Sequence, residues 1–173
     1  MSTALKTAED AVVIPPANSE TYKIGIVRAE WNDAITGALE KGAMEYLGQA
    51  GIDPANITRI LVPGSFELTS GAQLMLEKGA IDAVICLGCV IQGETPHFDF
   101  ICSAVAHGIT NLAIAYKKPV IFGVLTTITL LQAEERAGGR LGNKGREAAL
   151  TAVKMVELQK MIKPVTKTTA GFR

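Results

Sequence analysis

Four times along this chain a run of nearly unbroken apolar residues gives way to a stretch with helical spacing. The runs are YKIGIVRAE (22–30), ITRILV (57–62), IDAVICLGCVI (81–91) and PVIFGVLT (119–126). After the first comes NDAITGALEKGAMEYLGQAG (32–51), with Ile35, Leu39, Ala43 and Leu47 at every fourth position, the stripe of an amphipathic helix. FELTSGAQLMLEKG (66–79), FDFICSAVAHGITNLAIAY (98–116), LLQAEERAG (130–138) and REAALTAVKMVELQKMI (146–162) read as further helices. Strands that do not alternate apolar with polar residues are buried on both faces, which is the condition of a parallel sheet covered by helices on each side. The expected fold is a three-layer α/β/α sandwich.

In finer detail the expectation is a flavodoxin-like parallel sheet of four core strands, with a short extended piece at 12–14 as a further N-terminal strand. Residues 1–20 read as a flexible arm, 21–163 as a single α/β domain and 164–173 as a tail. Aromatic residues are only 5% of the chain against 48% apolar, so the core is expected to be aliphatic and rich in alanine. Basic and acidic residues, 17 of each, cancel, which argues against broad binding to nucleic acid or to a membrane surface. No uncharged apolar run reaches the length of a membrane span, and MSTALKTAEDAVVIPP carries acids and prolines where a signal peptide needs an apolar core. The expected compartment is the cytoplasm. Cys86 and Cys89 have CxxC spacing, but three residues along a strand put them on opposite faces. Buried, reduced thiols are the expectation for them.

Ligands of doubly wound sheets sit beyond the carboxyl ends of the strands, so the segments RAEWND, VPGSFE, IQGETPH and LTTIT carry the chemistry. Thr95 is placed to cap the third helix with Pro96 at its first position, and His97 then falls in the first turn. The positive end of the helix dipole favours a neutral, proton-accepting ring there, whereas a bound phosphate pulls the other way. The unpaired N–H groups around Gly93, Glu94 and Thr95 make an anion site. An ordinary polar role for His97 is equally compatible with its position. Mid-helix, His107 reads as a solvated or packed residue. Trp31 can stack on a planar heterocycle or serve as a hydrophobic lid on the sheet. Glu67 can accept from hydroxyls of a polyol or sit solvated in a helix's first turn. In ERAGGRLGNKGRE, Arg136, Arg140, Lys144 and Arg146 can surround a phosphate, or the segment can be a solvated linker. Neither a GxxxxGK[ST] loop nor a GxGxxG fingerprint is present, and two histidines without an acidic cluster argue against a transition metal.

Five stretches, GIVRAEWN, VPGSFE, LGCVIQGETPHFDFIC, PVIFGVLTT and QAEERAGGRLGNKGREAA, taken in order and register resemble the 6,7-dimethyl-8-ribityllumazine synthase family. The resemblance implies condensation of 5-amino-6-(D-ribitylamino)uracil with 3,4-dihydroxy-2-butanone 4-phosphate, with loss of phosphate and water and with no metal or organic cofactor. It further implies that Trp31 stacks on the pyrimidine, Ser65 and Glu67 meet the ribityl chain, and Val90 and Ile91 offer backbone contacts to the uracil edge. Glu94 and Thr95 then belong to the phosphate turn, and His97 transfers protons. Phe122, Arg136 and Lys144 are implied to come from a neighbouring subunit of a pentamer, Arg136 gripping the phosphate. Twelve pentamers close into a 60-subunit shell in some relatives. The absence of an insertion before the last helix leans toward that shell, for which riboflavin synthase is an expected partner. Gln92 stands where a basic residue is common, and Pro96 removes one N–H from the phosphate turn. A non-catalytic flavin or lumazine carrier on the same fold is the competing class. A receiver or flavodoxin signalling domain fits less well, because RAEWND supplies neither an acidic pocket nor a hydroxyl-rich loop.

Overall fold

The computed structural model describes residues 14–162. Most of the segment at 12–14 and all of the tail at 164–173 lie outside it. In chain order the elements are β1 (Ile24–Ala29), α1 (Asp33–Gln49), β2 (Ile57–Val62), α2 (Leu68–Lys78), β3 (Ala83–Ile91), α3 (His97–Tyr116) and β4 (Val120–Thr127). There follow α4 (Leu130–Glu134), a small antiparallel hairpin of β5 (Ala137–Gly139) and β6 (Gly142–Asn143), and α5 (Lys144–Met161). Single 3-10 turns at Ser19–Thr21 and Pro54–Asn56 precede β1 and β2.

The four long strands form one parallel sheet in the order β2-β1-β3-β4, so β1 and β3 are central and β2 and β4 are its edges. Alternate residues feed two cores. Ile24, Ile26, Ile85, Leu87, Cys89 and Leu125 pack with Leu39, Leu47, Ala149 and Val153 of α1 and α5. Val27, Ala29, Val84, Cys86 and Val124 pack on the other face with Leu68, Ala72, Val105 and Ile109 of α2 and α3. Each fully buried aliphatic side chain contributes about 1.5–3 kcal/mol of transfer free energy. The expected three-layer sandwich is therefore present, with an aliphatic core. Cys86 and Cys89 do fall on opposite faces, and burial pushes their thiols up to about 12 and about 11.

Helix ends show where local reading succeeds and fails. Gly51 closes α1 in the left-handed region (φ 78°). Ile52 N–H bonds Leu47 C=O across it and Gly51 N–H bonds Gly48 C=O, the double bond pattern that terminates a helix at a glycine. The start of α1 differs from expectation: neither Asn32 nor Asp33 caps it, since Asn32 lies at φ 59° and Asp33 pairs with Arg28. Thr95 makes no cap for α3 either, because Pro96 takes the capping position without a side-chain bond. At α5 an uncounted residue does this work. Asn143 Oδ1 accepts from Gly145 N–H (2.8 Å) and Arg146 N–H (3.2 Å), so the helix begins two residues earlier than its apolar pattern suggests.

Of the helices, α3 is the most apolar. Its best 18-residue window has a mean hydropathy of 1.4, yet only 11% of that window is buried. Val105 and Ile109 seat it on the sheet while Phe100 and Ile114 remain exposed. By length and composition alone it could cross a membrane; in this fold it is one outer layer of the sandwich.

Candidate active site

In this strand order the chain leaves β1 toward β2 on one side and returns to β3 on the other, so the switch point lies between the carboxyl ends of β1 and β3. Trp31 follows β1 at that end of the sheet and is 69% exposed, so much of its ring is open to a stacking partner. Its N–H donates to Pro63 C=O at 3.1 Å, and its ring lies against Gly64, where a Cβ would come within 2.8 Å of the indole. The glycine is thus required by contact with the ring. Ser65 is buried beside it, its hydroxyl packed on Gly88 of β3. Glu67, half-buried, reaches back so that Oε2 accepts from Gly64 N–H at 3.1 Å. Its second oxygen has no protein donor among the described residues and can accept from a ligand hydroxyl. Val90 and Ile91, half-buried, end β3 next to these loops.

The chain then runs through an exposed turn, Gln92 to Pro96, into α3. Glu94, Thr95 and His97 are all exposed, and His97 is the first residue of the helix. Among the described residues the N–H groups of Gly93, Glu94, Thr95, His97 and Phe98 have no protein acceptor, whereas Asp99 N–H returns to Pro96 C=O. Five such donors at a helix start can hold an anion. His107, by contrast, sits exposed mid-helix with Nδ1 3.3 Å from Ser103 Oγ.

Phe122, Arg136 and Lys144 are gathered elsewhere. They share the wall of a cavity of about 710 Å³ along β4 and the start of α5, and none of Trp31, Ser65, Glu67 or His97 lines it. Phe122 stands opposite Cys86 in the ladder, whereas Val90 stands opposite Thr126. At about 3.3 Å per strand residue, that four-residue offset sets Phe122 about 13 Å below the end of the sheet. One copy of the chain therefore holds two separate groups.

In the glycine-rich segment, for which the sequence leaves a phosphate loop and a solvated linker both open, three of the four cations have partners within the chain. Arg140 pairs with Glu135 at 3.0 Å, and Arg146 turns to α1, bonding Gln49 Oε1 at 2.8 Å and lying 5.2 Å from the Tyr46 ring centre. Lys144 Nζ is held by Glu147 at 2.7 Å. Arg136 donates one bond to Gln132 C=O at 2.9 Å and has no carboxylate partner among the described residues. Its guanidinium is the group left to take an oxyanion in bidentate fashion. Sequence reasoning did not single out Thr127, whose buried hydroxyl lines the same cavity and has no partner among the described residues. The only signal was its place at the carboxyl end of a strand.

Together these groups can stack a flat ring, accept hydroxyls, hold an anion and move a proton. A family model described as 6,7-dimethyl-8-ribityllumazine synthase matches residues 21–160. The chain is 59% identical over 143 residues to a 6,7-dimethyl-8-ribityllumazine synthase from Cytophaga hutchinsonii, covering 83% of this chain and 89% of that protein. It is 52% identical to the enzyme of that name from Parabacteroides distasonis, over 90% of this chain and 98% of the relative. Against the one from Phocaeicola vulgatus identity is 47%, with 94% and 96% covered.

Proposed function

The chain belongs to the 6,7-dimethyl-8-ribityllumazine synthase family, and from that membership we infer its reaction and the part each residue plays. It is a transferase of riboflavin biosynthesis that condenses 5-amino-6-(D-ribitylamino)uracil with 3,4-dihydroxy-2-butanone 4-phosphate, releasing phosphate and water. In the proposed site the pyrimidine stacks on Trp31, its polar edge meets the backbone at Val90 and Ile91, and the ribityl chain runs toward Ser65 and Glu67. The phosphate of the second substrate sits at the start of α3, over Glu94 and Thr95, with Arg136 of an adjacent copy as counterion. Lys144 and Phe122 come from that same copy. Imine formation, phosphate elimination and ring closure each move protons, which the His97 imidazole relays. Most of the acceleration comes from holding two substrates face to face. One observation carries this site: an exposed indole resting on Gly64 at the carboxyl end of β1, with the helix that follows the adjacent strand β3 beginning at His97.

The separation of Phe122, Arg136 and Lys144 from the Trp31 group supports a site shared between copies, hence a ring. The exposed apolar side of α3 supports burial against further copies. A pentamer is the proposed unit. The short β5–β6 turn, which feeds straight into α5 without an insertion, favours closure into a 60-subunit shell. Riboflavin synthase as partner would be read by co-purification. A cytoplasmic location is supported by three free cysteines.

Mixing both substrates with the protein tests the reaction: lumazine fluorescence should rise together with phosphate release. Tight binding of flavin with neither signal would instead mark a carrier.

A further inference from the structure

We infer that Asn32 is a positioning residue that sets the gap between the Trp31 ring and the end of β3, the gap the pyrimidine enters. The inference rests on the stacking role proposed for Trp31. Pairing of β1 with β3 stops at Arg28 opposite Leu87, so beyond that level the β1 side of β3 has no strand beside it. There Asn32 Nδ2 donates to Cys89 C=O at 3.0 Å, and a side chain continues the ladder where the backbone has left it. The left-handed backbone at Asn32 (φ 59°, ψ 44°) turns the amide back to that carbonyl.

The direction of the next free groups follows from strand alternation. Val84 N–H and Gln92 N–H both donate to the β4 side, to Pro119 and Thr127. Even-numbered residues of β3 therefore present their polar groups to β4, and odd-numbered ones present theirs to β1. Cys89 faces β1 and is occupied by Asn32. Ile91 faces the same way one repeat further on, past the end of β1, where its N–H and C=O make a donor–acceptor pair suited to the imide edge of a uracil. On the other side, Trp31 N–H is tied to Pro63 and the indole rests on Gly64. The ring is thus fastened to the β2 loop, and Asn32 fastens the adjoining residue to β3. Beyond the last β1–β3 pair, the amide is the direct hydrogen bond that ties this segment to β3 among the described residues.

The test uses the chain's single tryptophan as its own reporter. Titrating 5-amino-6-(D-ribitylamino)uracil into the wild-type protein should quench Trp31 fluorescence. Asn32→Gly keeps the left-handed backbone without strain and removes the amide. Asn32→Asp keeps the size and removes the donor. In both, quenching should require about tenfold more of the aminouracil, the ratio expected for one lost net hydrogen bond. The KM for the aminouracil should rise alike, with that for 3,4-dihydroxy-2-butanone 4-phosphate unchanged. Equal affinity in wild type and both variants overturns the inference. So does a parallel loss for both substrates accompanied by a lower melting temperature, which would mark a purely structural role. Absence of quenching in the wild type would instead defeat the stacking role of Trp31, and the inference with it.

Discussion

Asn143 Nδ2 donates to the carbonyl of Ala38 at 2.8 Å, joining residues 105 positions apart. With its oxygen capping α5 and its nitrogen on α1, this one amide locks the two helices on the same face of the sheet. A Cβ at Gly42 would collide with that amide, and one at Gly145 would collide with the backbone of Leu39, so both glycines are demanded by the crossing.

Removing the lock should be costly. Asn143→Ala is expected to destabilise the fold by about 2–3 kcal/mol, adding a lost cap to an unsatisfied carbonyl, with an unchanged denaturant slope. Gly145→Ala should be worse, because the obstacle is backbone. Gly48, exposed on α1 with open space around it, is the control: Gly48→Ala should stabilise by roughly 0.5–1 kcal/mol. Urea melts of the three variants check the ranking.

If the site is shared, two impaired variants assayed at low phosphorylated substrate should rescue each other. His97→Ala is expected to slow turnover about 10²-fold or more with assembly intact, and Arg136→Ala to raise the KM for the phosphorylated substrate. Co-assembled at equal ratio, they should regain about a quarter of wild-type activity, since one interface in four then pairs an intact His97 with an intact Arg136. No regain on mixing would place both residues in one copy's site or in none.

Particle mass decides the assembly. Five copies of an 18.3 kDa chain make a particle of about 92 kDa and sixty make one of about 1,100 kDa, as closed symmetry requires. Native mass spectrometry or light scattering separates the two, and the shell is the expected result.

The buried thiols should be inert. Burial raises Cys86 to about 12 and Cys89 to about 11, so at neutral pH a disulfide-exchange reagent should titrate no thiol but the half-buried Cys102 in the native state. Because the folded values lie above the unfolded ones, the stability they carry is complete below about pH 8.5 and declines as pH rises through 11 and 12. A melting temperature that held constant from pH 8 to pH 11 would contradict this.

The sheet was legible in the sequence because burial on both faces leaves an unbroken apolar run, and β2 coincides with its expected range, 57–62. Gly51 was legible too, since a left-handed helix end selects for glycine by itself. The failures share another cause. Whether Asn32 caps a helix or reaches across to Cys89 depends on a carbonyl 57 positions away, which local spacing does not encode. Gly145 suits a ligand loop and a close helix crossing equally well, and only the position of Leu39 decides. Half of the candidate site lies at strand carboxyl ends, where topology points. Of the other half, Phe122 came from the resemblance alone, and Arg136 was one of four cations of the 135–147 segment that spacing did not tell apart.

With β2 and β4 at the margins of an open parallel sheet, a single copy shows two rows of peptide groups with no strand beside them among the described residues. Such rows are templates for any extended chain, so, if the proposed assembly forms, productive closure races against clumping. In that assembly, refolding yield would follow how quickly copies find one another.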